Sequence, residues 1–375
     1  MKKFLIVAHY SRFLVQFELN DVRLLQSMGF EVHYATNYQQ EDMFSGAIKV
    51  IQENGVILHQ IDFVRSPYNI PENIKAYRQL KDLMVKEKFS GVHCHTPVAG
   101  ALARLAANAT HTAPVIYTAH GFHFYKGCPL KNKLIYQTAE TFLARYTDAL
   151  VTINEEDFQA AKSFHIRGDV YKIPGVGIDT QAIKTYKCNP IQIRKDLGID
   201  ESSTVFCSVG EINDNKNHLT TIQAFVKANI EKSHYLLCGD GNKRVDLENL
   251  VKELGIGDRV HFLGFQNNVL DYLYASDVFL FPSIREGLGL AALEAMATGL
   301  PVVAAENRGS KEYARSSWVG VLCKATDVNA FATAMRKFGK SRKRYKENQM
   351  VANEFDKHKT EQIMQKVYDK TLAND

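Results

Sequence analysis

The chain has 375 residues, more than one hydrophobic core ordinarily holds, so two domains are expected. Hydrophobic residues make up 45% of the chain, as in a globular protein, and no apolar run reaches the length of a membrane span. The net charge of +5, from 46 basic and 41 acidic residues, is too small to indicate a nucleic-acid-binding protein.

The apolar run at the start of the chain predicts a strand rather than a signal peptide. It begins at Phe4 and already ends at His9 and Tyr10, which is short for a signal peptide. The six cysteines are scattered without a Cys-x-x-Cys pair, which favours free thiols in a reducing compartment. We therefore expect a cytoplasmic protein.

Short apolar runs alternate with amphipathic stretches along the first half, the pattern of a parallel, doubly wound sheet. The predicted strands are 3–8, 31–36, 56–61, 91–95, 114–119, 149–153 and 170–173. The predicted helices are 14–28, 41–54, 72–88, 130–146 and 155–164. Together these elements predict one Rossmann-like domain over residues 1–180.

The same pattern restarts after a glycine-rich turn at 174–179 and a polar stretch at 180–190. The predicted strands are 204–209, 235–238, 260–263, 278–281 and 301–305, and the predicted helices are 290–297, 329–339 and 360–373. We therefore predict a second Rossmann-like domain over residues 181–355, followed by a C-terminal helical segment, 356–375.

One stretch of the second domain, residues 278–303, combines a strand, a glycine loop and a helix N-terminus. Gly287 and Gly289 let a ligand approach the backbone, and the helix that starts at Leu290 presents amides that attract an anion. Glu286 and Glu294 bracket this loop, and a carboxylate accepts hydrogen bonds from a sugar diol. A phosphate site between two carboxylates indicates a nucleotide sugar.

This stretch resembles the signature of the family 4 retaining glycosyltransferases, a Glu-x7-Glu within PSxxEGFGLxxxEAMAxGxPVVA, with Leu288 where an aromatic residue is usual. The resemblance extends over nearly the whole chain. It implies the α/β fold called GT-B, two Rossmann-like domains with a cleft between them, and a last helix that crosses back to the first domain. It also implies that Glu286 contacts the donor hexose, that amides of 287–290 hold sugar and diphosphate, and that Glu294 holds the ribose.

Loops after other strands of the second domain supply further candidates for the donor site. Lys216 follows the strand 204–209, and an ammonium group suits a diphosphate. The family has an arginine after Gly210 and a lysine five residues later; Lys216 keeps the lysine, but Glu211 occupies the arginine position. The remaining donor candidates are Gly239 and Gly241 in a Gly-Asp-Gly turn, and Phe265, which by resemblance lies near the nucleobase.

In the first domain, His120 follows the strand 114–119 and matches the family histidine that lies against the donor hexose. By the same resemblance His120, Glu286 and Lys216 are the catalytic candidates, and none is assigned as a base because the leaving phosphate is thought to assist the attack. The segments 120–127 and 147–157 resemble the bacterial capsule and exopolysaccharide branch. The candidate acceptor-binding residues are His9, Tyr10, His95, His123, Tyr125 and Lys126.

The sequence predicts neither a metal site nor a cofactor, and the nucleotide sugar is expected as a substrate. His93 and His95 alternate on one strand, but no carboxylate or cysteine completes a ligand spacing typical of zinc. The chain contains no Asp-x-Asp, the pair with which metal-dependent glycosyltransferases hold a divalent ion, and no GxGxxG after the first strand, which argues against a nicotinamide or flavin enzyme.

Basic residues cluster near the end of the second domain and leave two interpretations open. A solvated helix face is one, and peripheral contact with an anionic inner membrane surface is the other. An aromatic and basic stretch at 65–77 could serve the same contact in the first domain. The cluster comprises Arg336, Lys337, Lys340, Arg342, Lys343, Arg344 and Lys346.

The sequence therefore predicts a retaining, metal-independent glycosyltransferase. It would move a hexose or N-acetylhexosamine from a nucleotide-diphosphate sugar, with UDP favoured, to a lipid-linked or growing surface polysaccharide. One alternative is a UDP-sugar epimerase of GT-B fold, which needs paired carboxylates over the sugar; no such pair is predicted in the first domain. The other is a non-catalytic subunit that binds sugar nucleotides.

Overall fold

The computed structural model describes residues 1–39, 46–315 and 317–373. The chain forms two compact units: Met1–Val176 with His358–Asp375 make up unit 1, and Gly177–Lys357 make up unit 2. These divisions lie within a few residues of the predicted domain ends at 180 and 355. In the part of the chain that the structure describes, no helix is long and apolar enough to cross a membrane.

Unit 1 is built on a seven-stranded sheet in which every neighbouring pair is parallel. Its strands are β1 Lys2–Tyr10, β2 Phe30–Asn37, β3 Ile57–Gln60, β4 Val92–His95, β5 Val115–Ala119, β6 Ala149–Thr152 and β7 Asp169–Lys172, in the order β3-β2-β1-β4-β5-β6-β7. Its helices are α1 Ser11–Phe13, α2 Leu19–Ser27, α3 Ala47–Glu53, α4 Ile70–Glu87, α5 Pro97–Thr110, α6 Leu130–Ala144 and α7 Glu155–Ala161. The apolar strand runs are continuous because helices cover a parallel sheet on its faces.

Unit 2 repeats the plan with six parallel strands. These are β8 Thr204–Val209, β9 Ser233–Cys238, β10 Val260–Gly264, β11 Val278–Phe281, β12 Val302–Ala305 and β13 Gly320–Cys323, in the order β10-β9-β8-β11-β12-β13. The helices are α8 Thr180–Thr185, α9 Pro190–Asp196, α10 His218–Ala228, α11 Arg244–Glu253, α12 Val269–Ala275, α13 Leu290–Ala297, α14 Arg308–Tyr313, α15 Val328–Gly339 and α16 Lys346–Asn353, and α17 Lys357–Leu372 ends the chain.

Each unit has its own hydrophobic core. In unit 1, Leu80 of α4 and Ala103 of α5 pack in one buried cluster with strand residues such as Val92. In unit 2, Phe206 of β8 and Phe331 of α15 share the corresponding cluster. Two separate cores of this kind confirm the predicted α/β class of two Rossmann-like domains.

Every predicted strand has a counterpart in the structure, whereas several helices were not predicted. Helix α5 has small, apolar residues over most of its surface, and four of its alanines are buried, so it lacks the polar face that marks an amphipathic helix. Strand β13 is a four-residue edge strand and also was not predicted. Residues 41–45 of the predicted helix 41–54 lie outside the described residues, and α3 accounts for most of the rest.

The predicted helix 14–28 is interrupted. A π-helical turn, Leu14–Glu18, separates α1 from α2. Such a turn adds a residue to the helical repeat and rotates the side chains that follow, and π-turns are frequent at functional sites. Here Glu18 is buried, with 3% of its surface exposed.

Candidate active site

The loop between β11 and α13 is shaped by a glycine that no other residue could replace without strain. Gly289 has φ +94°, and a Cβ there would lie 2.7 Å from the ring of Phe281. Gly289 is also the N-cap of α13 and supplies no side-chain cap for the helix amides. The amide end of α13 therefore opens on this loop, as an anion site requires.

Lys216 and Glu286, two of the predicted catalytic residues, form an ion pair. Lys216 Nζ lies 2.6 Å from Glu286 Oε1, and 23% and 15% of the two side chains are exposed. The ammonium group also lies 5.4 Å from the ring centre of Phe281. The aliphatic stem of Lys216 passes so close to Gly210 that a Cβ at Gly210 would lie 3.2 Å from Lys216 Cε. The side chain of Lys216 is thus held along the end of the sheet.

Backbone contacts join the loops after β8 and β11. The amide of Ile284 donates to the carbonyl of Asn215 at 2.8 Å, and Asn215 Nδ2 donates to the carbonyl of Arg285 at 3.0 Å. Asn217, in the left-handed region with φ +55°, donates from Nδ2 to the carbonyl of Pro282 at 3.2 Å. These bonds hold the segment that carries Lys216 against the segment that carries Glu286.

The glycines that follow β8 and β9 allow two backbone loops to touch. A Cβ at Gly239, which has φ +148°, would lie 1.9 Å from the carbonyl oxygen of Gly210. A Cβ at Gly241 would lie 2.3 Å from the carbonyl oxygen of Ile212. The predicted donor residues Gly210, Gly239 and Gly241 therefore meet at the carboxyl end of the unit 2 sheet, where ligands of such sheets bind.

The other donor candidates differ in exposure. Glu211, at the family's arginine position, is exposed, and 56% of Phe265 is exposed, whereas Leu288 is buried. Glu294 lies one helical turn inside α13 and is partly exposed; burial nevertheless raises the pKa of its carboxyl group to about 7. This carboxyl group is therefore partly protonated at neutral pH.

Arg308 was not predicted as a site residue, and it brings a second cation to the Glu286 segment. Arg308 opens α14, is 9% exposed, and its Nε donates to the carbonyl of Glu286 at 3.4 Å. The preceding Asn307 caps α14 and donates from Nδ2 to the carbonyl of Ser283 at 2.8 Å. The sequence signal for Arg308 was its position after a buried strand. The family resemblance did not point to it, because the family has its arginine at position 211.

In unit 1, two predicted histidines lie together at the ends of neighbouring strands. His95 ends β4 and is fully buried, and His120 follows β5 with 23% of its side chain exposed. His95 Nδ1 and His120 Nε2 are 3.2 Å apart, and the ring of Phe13 packs against both imidazoles. Desolvation lowers the pKa of His120 to about 4, so the ring is neutral at pH 7.

A carboxylate that the sequence did not predict completes this group. Glu18 Oε1 lies 3.5 Å from His95 Nδ1 and 3.6 Å from His120 Nε2. Burial raises the pKa of Glu18 well above its ordinary value, with repulsion from Asp21 adding to the effect, and burial raises the pKa of Asp21 to about 6. Glu18 and Asp21 are therefore a buried pair of carboxylates that the sequence did not predict for the first domain; the absence of paired carboxylates over the sugar stays a prediction. The sequence signal for this pair was the presence of two acids, Glu18 and Asp21, three residues apart within a helical segment.

His93, in contrast, is satisfied within the core of unit 1. Its Nδ1 lies 2.7 Å from the hydroxyl of Tyr368 in α17, and its Nε2 lies 2.7 Å from the hydroxyl of Thr118. Burial lowers the pKa of His93 to about 3, so this imidazole stays neutral.

The remaining acceptor candidates of unit 1 have separate surroundings. His9 is 4% exposed, and the carbonyl of Tyr10 accepts a hydrogen bond from the hydroxyl of Tyr34 at 2.7 Å. The ring of His123 packs on a tyrosine, Tyr136, with ring centres 5.0 Å apart. Tyr125 and Lys126 line a wide surface depression of about 550 Å³, and the amide of Lys126 donates to Glu156 Oε1 at 2.7 Å.

Two members of the basic cluster brace unit 2. Arg344 donates to the carbonyls of Leu273, Tyr274 and Ser276, at 2.7 to 3.1 Å. Arg342 donates to the carbonyls of Glu201 and Ser202 at 2.6 and 3.1 Å. These two guanidinium groups hold the surrounding backbone, so the membrane interpretation depends on the other basic residues.

Comparison with known proteins shows the family of the chain. The model described as glycosyl transferases group 1 matches residues 190–354, and that described as glycosyl transferase 4-like matches residues 4–154. EpsD of Bacillus subtilis (strain 168), whose assignment as a glycosyltransferase is itself provisional, is 36% identical over 98% of this chain and 96% of EpsD. The UDP-Gal:α-D-GlcNAc-diphosphoundecaprenol α-1,3-galactosyltransferase of Escherichia coli is 30% identical over 76% of this chain and 78% of that enzyme.

Solved structures share the fold. Anabaena HepE in complex with UDP matches with a TM-score of 0.74 over 99% of this chain and 100% of HepE, at 17% identity. With a full-length relative, two family models and two parallel-sheet units in agreement, the chain belongs to the glycosyl transferases of group 1 and has their GT-B fold.

Proposed function

We propose that this glycosyltransferase transfers a hexose or N-acetylhexosamine from a UDP-sugar, with retention and with no divalent ion at the diphosphate. The proposed acceptor is a lipid-linked or growing surface polysaccharide. The name of the Escherichia coli relative specifies a UDP-galactose donor and a diphosphoundecaprenol-linked acceptor, which supports both choices. Contact with an anionic membrane surface would follow from such an acceptor and is part of the proposal.

The observation that carries the proposal is the Lys216–Glu286 pair beside the amide end of α13. A lysine and helix amides both favour the negative charge of a diphosphate, which supports transfer without a divalent ion. Glu286 orients Lys216 before the donor binds and can accept hydrogen bonds from sugar hydroxyls. Arg308, at the start of α14, donates to the carbonyl of Glu286 and adds a second positive charge nearby.

In the proposed transfer step, the leaving phosphate takes the acceptor proton, so no side chain acts as a base. The bond from the anomeric carbon to the phosphate oxygen breaks, and a bond to the acceptor oxygen forms on the same face of the sugar. The acceptor hydroxyl proton passes to the leaving phosphate, whose negative charge Lys216 and the α13 amides stabilise. His120 is neutral and is proposed to act as an uncharged hydrogen-bonding partner of the hexose.

The first experiment is a thermal-shift titration of UDP, GDP and ADP, and then of their sugars, with EDTA present. Wild type is compared with Glu294→Ala and with Glu306→Ala, a control at an exposed carboxylate of unit 2. We expect UDP to raise the melting temperature of wild type and of the control, and to have a smaller effect on Glu294→Ala. Equal shifts in all three proteins, or none without magnesium, would refute the proposed donor site.

Retention is tested on the product. The anomeric configuration of the transferred sugar is read from its proton NMR coupling in the first product formed on a diphospholipid-linked acceptor. An axial donor sugar should give an axial linkage. An inverted linkage would refute the retaining mechanism but would not contradict the proposed donor site.

A second candidate, a UDP-sugar epimerase, is favoured by the buried pair of Glu18 and Asp21 in unit 1. Such an enzyme would convert the UDP-sugar into its epimer without an acceptor. NMR of UDP-N-acetylglucosamine and UDP-galactose incubated with the enzyme alone distinguishes the two reactions. Binding without turnover, with or without acceptor, would instead support the non-catalytic subunit.

A further inference from the structure

We propose that unit 1 binds one divalent first-row transition-metal ion, such as zinc, through Glu18 Oε1, His95 Nδ1 and His120 Nε2. All three ligands lie in unit 1. His120 is also the proposed partner of the donor hexose, and the metal ion would take its Nε2 and leave Nδ1 for that contact. Metal binding is measured without donor or acceptor, so the proposal does not depend on the transfer reaction. The sequence offered only the histidines for such a site. The π-helical turn supplies the carboxylate.

The three atoms form a nearly equilateral triangle with sides of 3.2, 3.5 and 3.6 Å. The point equidistant from its corners lies about 2.0 Å from each atom, which matches the distances of zinc to imidazole nitrogen and carboxylate oxygen. A pair of hydrogen-bonded histidines alone would not place a third ligand at this distance from both rings.

Glu18 supplies independent evidence for a cation. It is 3% exposed, yet its Oε1 atom, the corner of the triangle, has no hydrogen-bond partner among the described residues. Two imidazoles lie within 3.6 Å of Glu18 Oε1, and a second acid, Asp21, lies beside Glu18. A buried, unpartnered carboxylate oxygen is costly unless a cation or proton compensates it.

A neighbouring set of Glu18, Asp21 and His93 is a poorer candidate. Both ring nitrogens of His93 already face hydroxyl groups at 2.7 Å, from Tyr368 and Thr118. Asp21 and Tyr368 lie instead around the proposed site, since Asp21 interacts with both Glu18 and Tyr368. Such outer contacts orient a metal-binding carboxylate.

The ligand set selects the ion and leaves room for a further ligand. Two imidazoles and one carboxylate suit zinc, cobalt or iron, and not magnesium or calcium, which prefer oxygen. Glu18 and His120 line a small cavity of about 10 Å³, which has room for one water-sized ligand and is also lined by Thr118, Asn20, Thr360 and Glu361. A three-residue site leaves the fourth position for a ligand oxygen, as catalytic zinc sites do.

One feature sets the expected strength of binding. His95 Nε2, on the far side of the ring, is buried and has no partner among the residues described. Metal-binding histidines usually donate a hydrogen bond from that nitrogen, and its loss costs roughly 10- to 100-fold in affinity. We therefore expect binding weaker than that of a structural zinc site.

The test uses the full chain, first stripped with chelator. Zinc is added, unbound ion is removed by desalting, and the retained zinc per chain is measured for wild type, Glu18→Gln and His95→Asn. Control variants address other histidine pairs. His59→Asn disrupts the pair of His59 with His33. His33 contacts His59 through Nδ1 and Glu31 through Nε2, so the three side chains do not point ligand atoms at one common position. His234→Asn disrupts the pair with His261 at 3.0 Å.

We expect about one zinc ion per chain in wild type and both controls, and at least about tenfold weaker binding in Glu18→Gln and His95→Asn. Zinc, and not magnesium, should raise the melting temperature of wild type. The proposal is overturned if wild type retains no zinc, or if Glu18→Gln retains as much as wild type.

Cobalt keeps the proposal testable even if the variants do not fold. Bound Co²⁺ in wild type should show the strong visible absorption of four- or five-coordinate nitrogen and oxygen ligation. A weak, water-like octahedral spectrum would overturn the site. UDP-induced thermal shifts of the metal-free protein, measured in parallel, report on unit 2 and separate failure of this site from failure of the donor site.

Discussion

Lys216 Nζ and Glu286 Oε1 lie 2.6 Å apart, so the two side chains predicted to bind different parts of the donor are paired with each other. The pair is partly buried, and 23% of the Lys216 side chain and 15% of the Glu286 side chain are exposed. A diphosphate that approaches Lys216 therefore meets an ammonium group already oriented, but must share it with Glu286.

We expect Lys216→Met to lower kcat/KM for transfer by about 10²- to 10³-fold, as loss of an electrostatic contact to a transition state does. Glu286→Gln should lower it as well, and the double variant should lose less than the sum, because each residue orients the other. Initial rates of UDP release measure this. Lys252→Met, at an exposed lysine of α11, is the control; additive losses would contradict the coupling.

Replacing Glu211 by arginine should strengthen donor binding. The change removes a negative charge and adds a positive one at an exposed position beside Gly210, where the family has arginine. We expect UDP to bind roughly three- to thirtyfold more tightly, and less so at high salt. Calorimetry of UDP binding at two salt concentrations checks this.

Asp214→Arg is the matched control for that charge change, since its side chain is 87% exposed in the same loop and faces Lys243 at 3.8 Å. Equal tightening in both variants would show a general effect of net charge rather than a local one.

Glu294 should make the stability of the protein depend on pH. Burial raises the pKa of this carboxyl group to about 7, so between its ordinary pKa of 4.5 and 7 the folded protein binds more protons than the unfolded chain. Stability contributed by the neutral acid is therefore full below pH 4.5 and is lost as the pH rises to 7.

Glu294→Gln stays uncharged and should escape this loss. We expect it to gain about 1–3 kcal/mol over wild type above pH 7, and no more than a small difference near pH 4.5. Urea unfolding at several pH values, with Glu306→Gln as the control, measures the difference. A gain that does not change with pH would exclude the titration of Glu294 as its cause.

Gly239→Ala should disturb both the fold and the donor loop. Its Cβ would lie 1.9 Å from the carbonyl oxygen of Gly210, and φ at Gly239 is +148°. We expect a loss of about 2–4 kcal/mol in unfolding free energy, from strain and overpacking together. Gly257→Ala, where no atom lies within 4 Å of the added carbon, should be nearly neutral in the same denaturation experiment. A neutral Gly239→Ala would show that the loops can separate cheaply.

The fold class and the glycine loop before α13 could both be predicted from the amino-acid sequence. Strands such as β11 are continuous apolar runs, and the turn at Gly289 depends on residues next to each other in the sequence. Both are therefore local properties. Glu286 and Glu294 became candidate site residues for the same reason, because their spacing along one loop and helix is itself the signal.

The contacts between side chains from distant segments could not be predicted from local sequence patterns. Glu18, His95 and His120 come together because β1 pairs with β4 and β4 with β5, and because a π-turn rotates Glu18 inward. The pairing of Lys216 with Glu286 likewise depends on β8 lying beside β11. Strand order and a one-residue change in helical repeat are set by long-range packing, which short-range periodicity does not report.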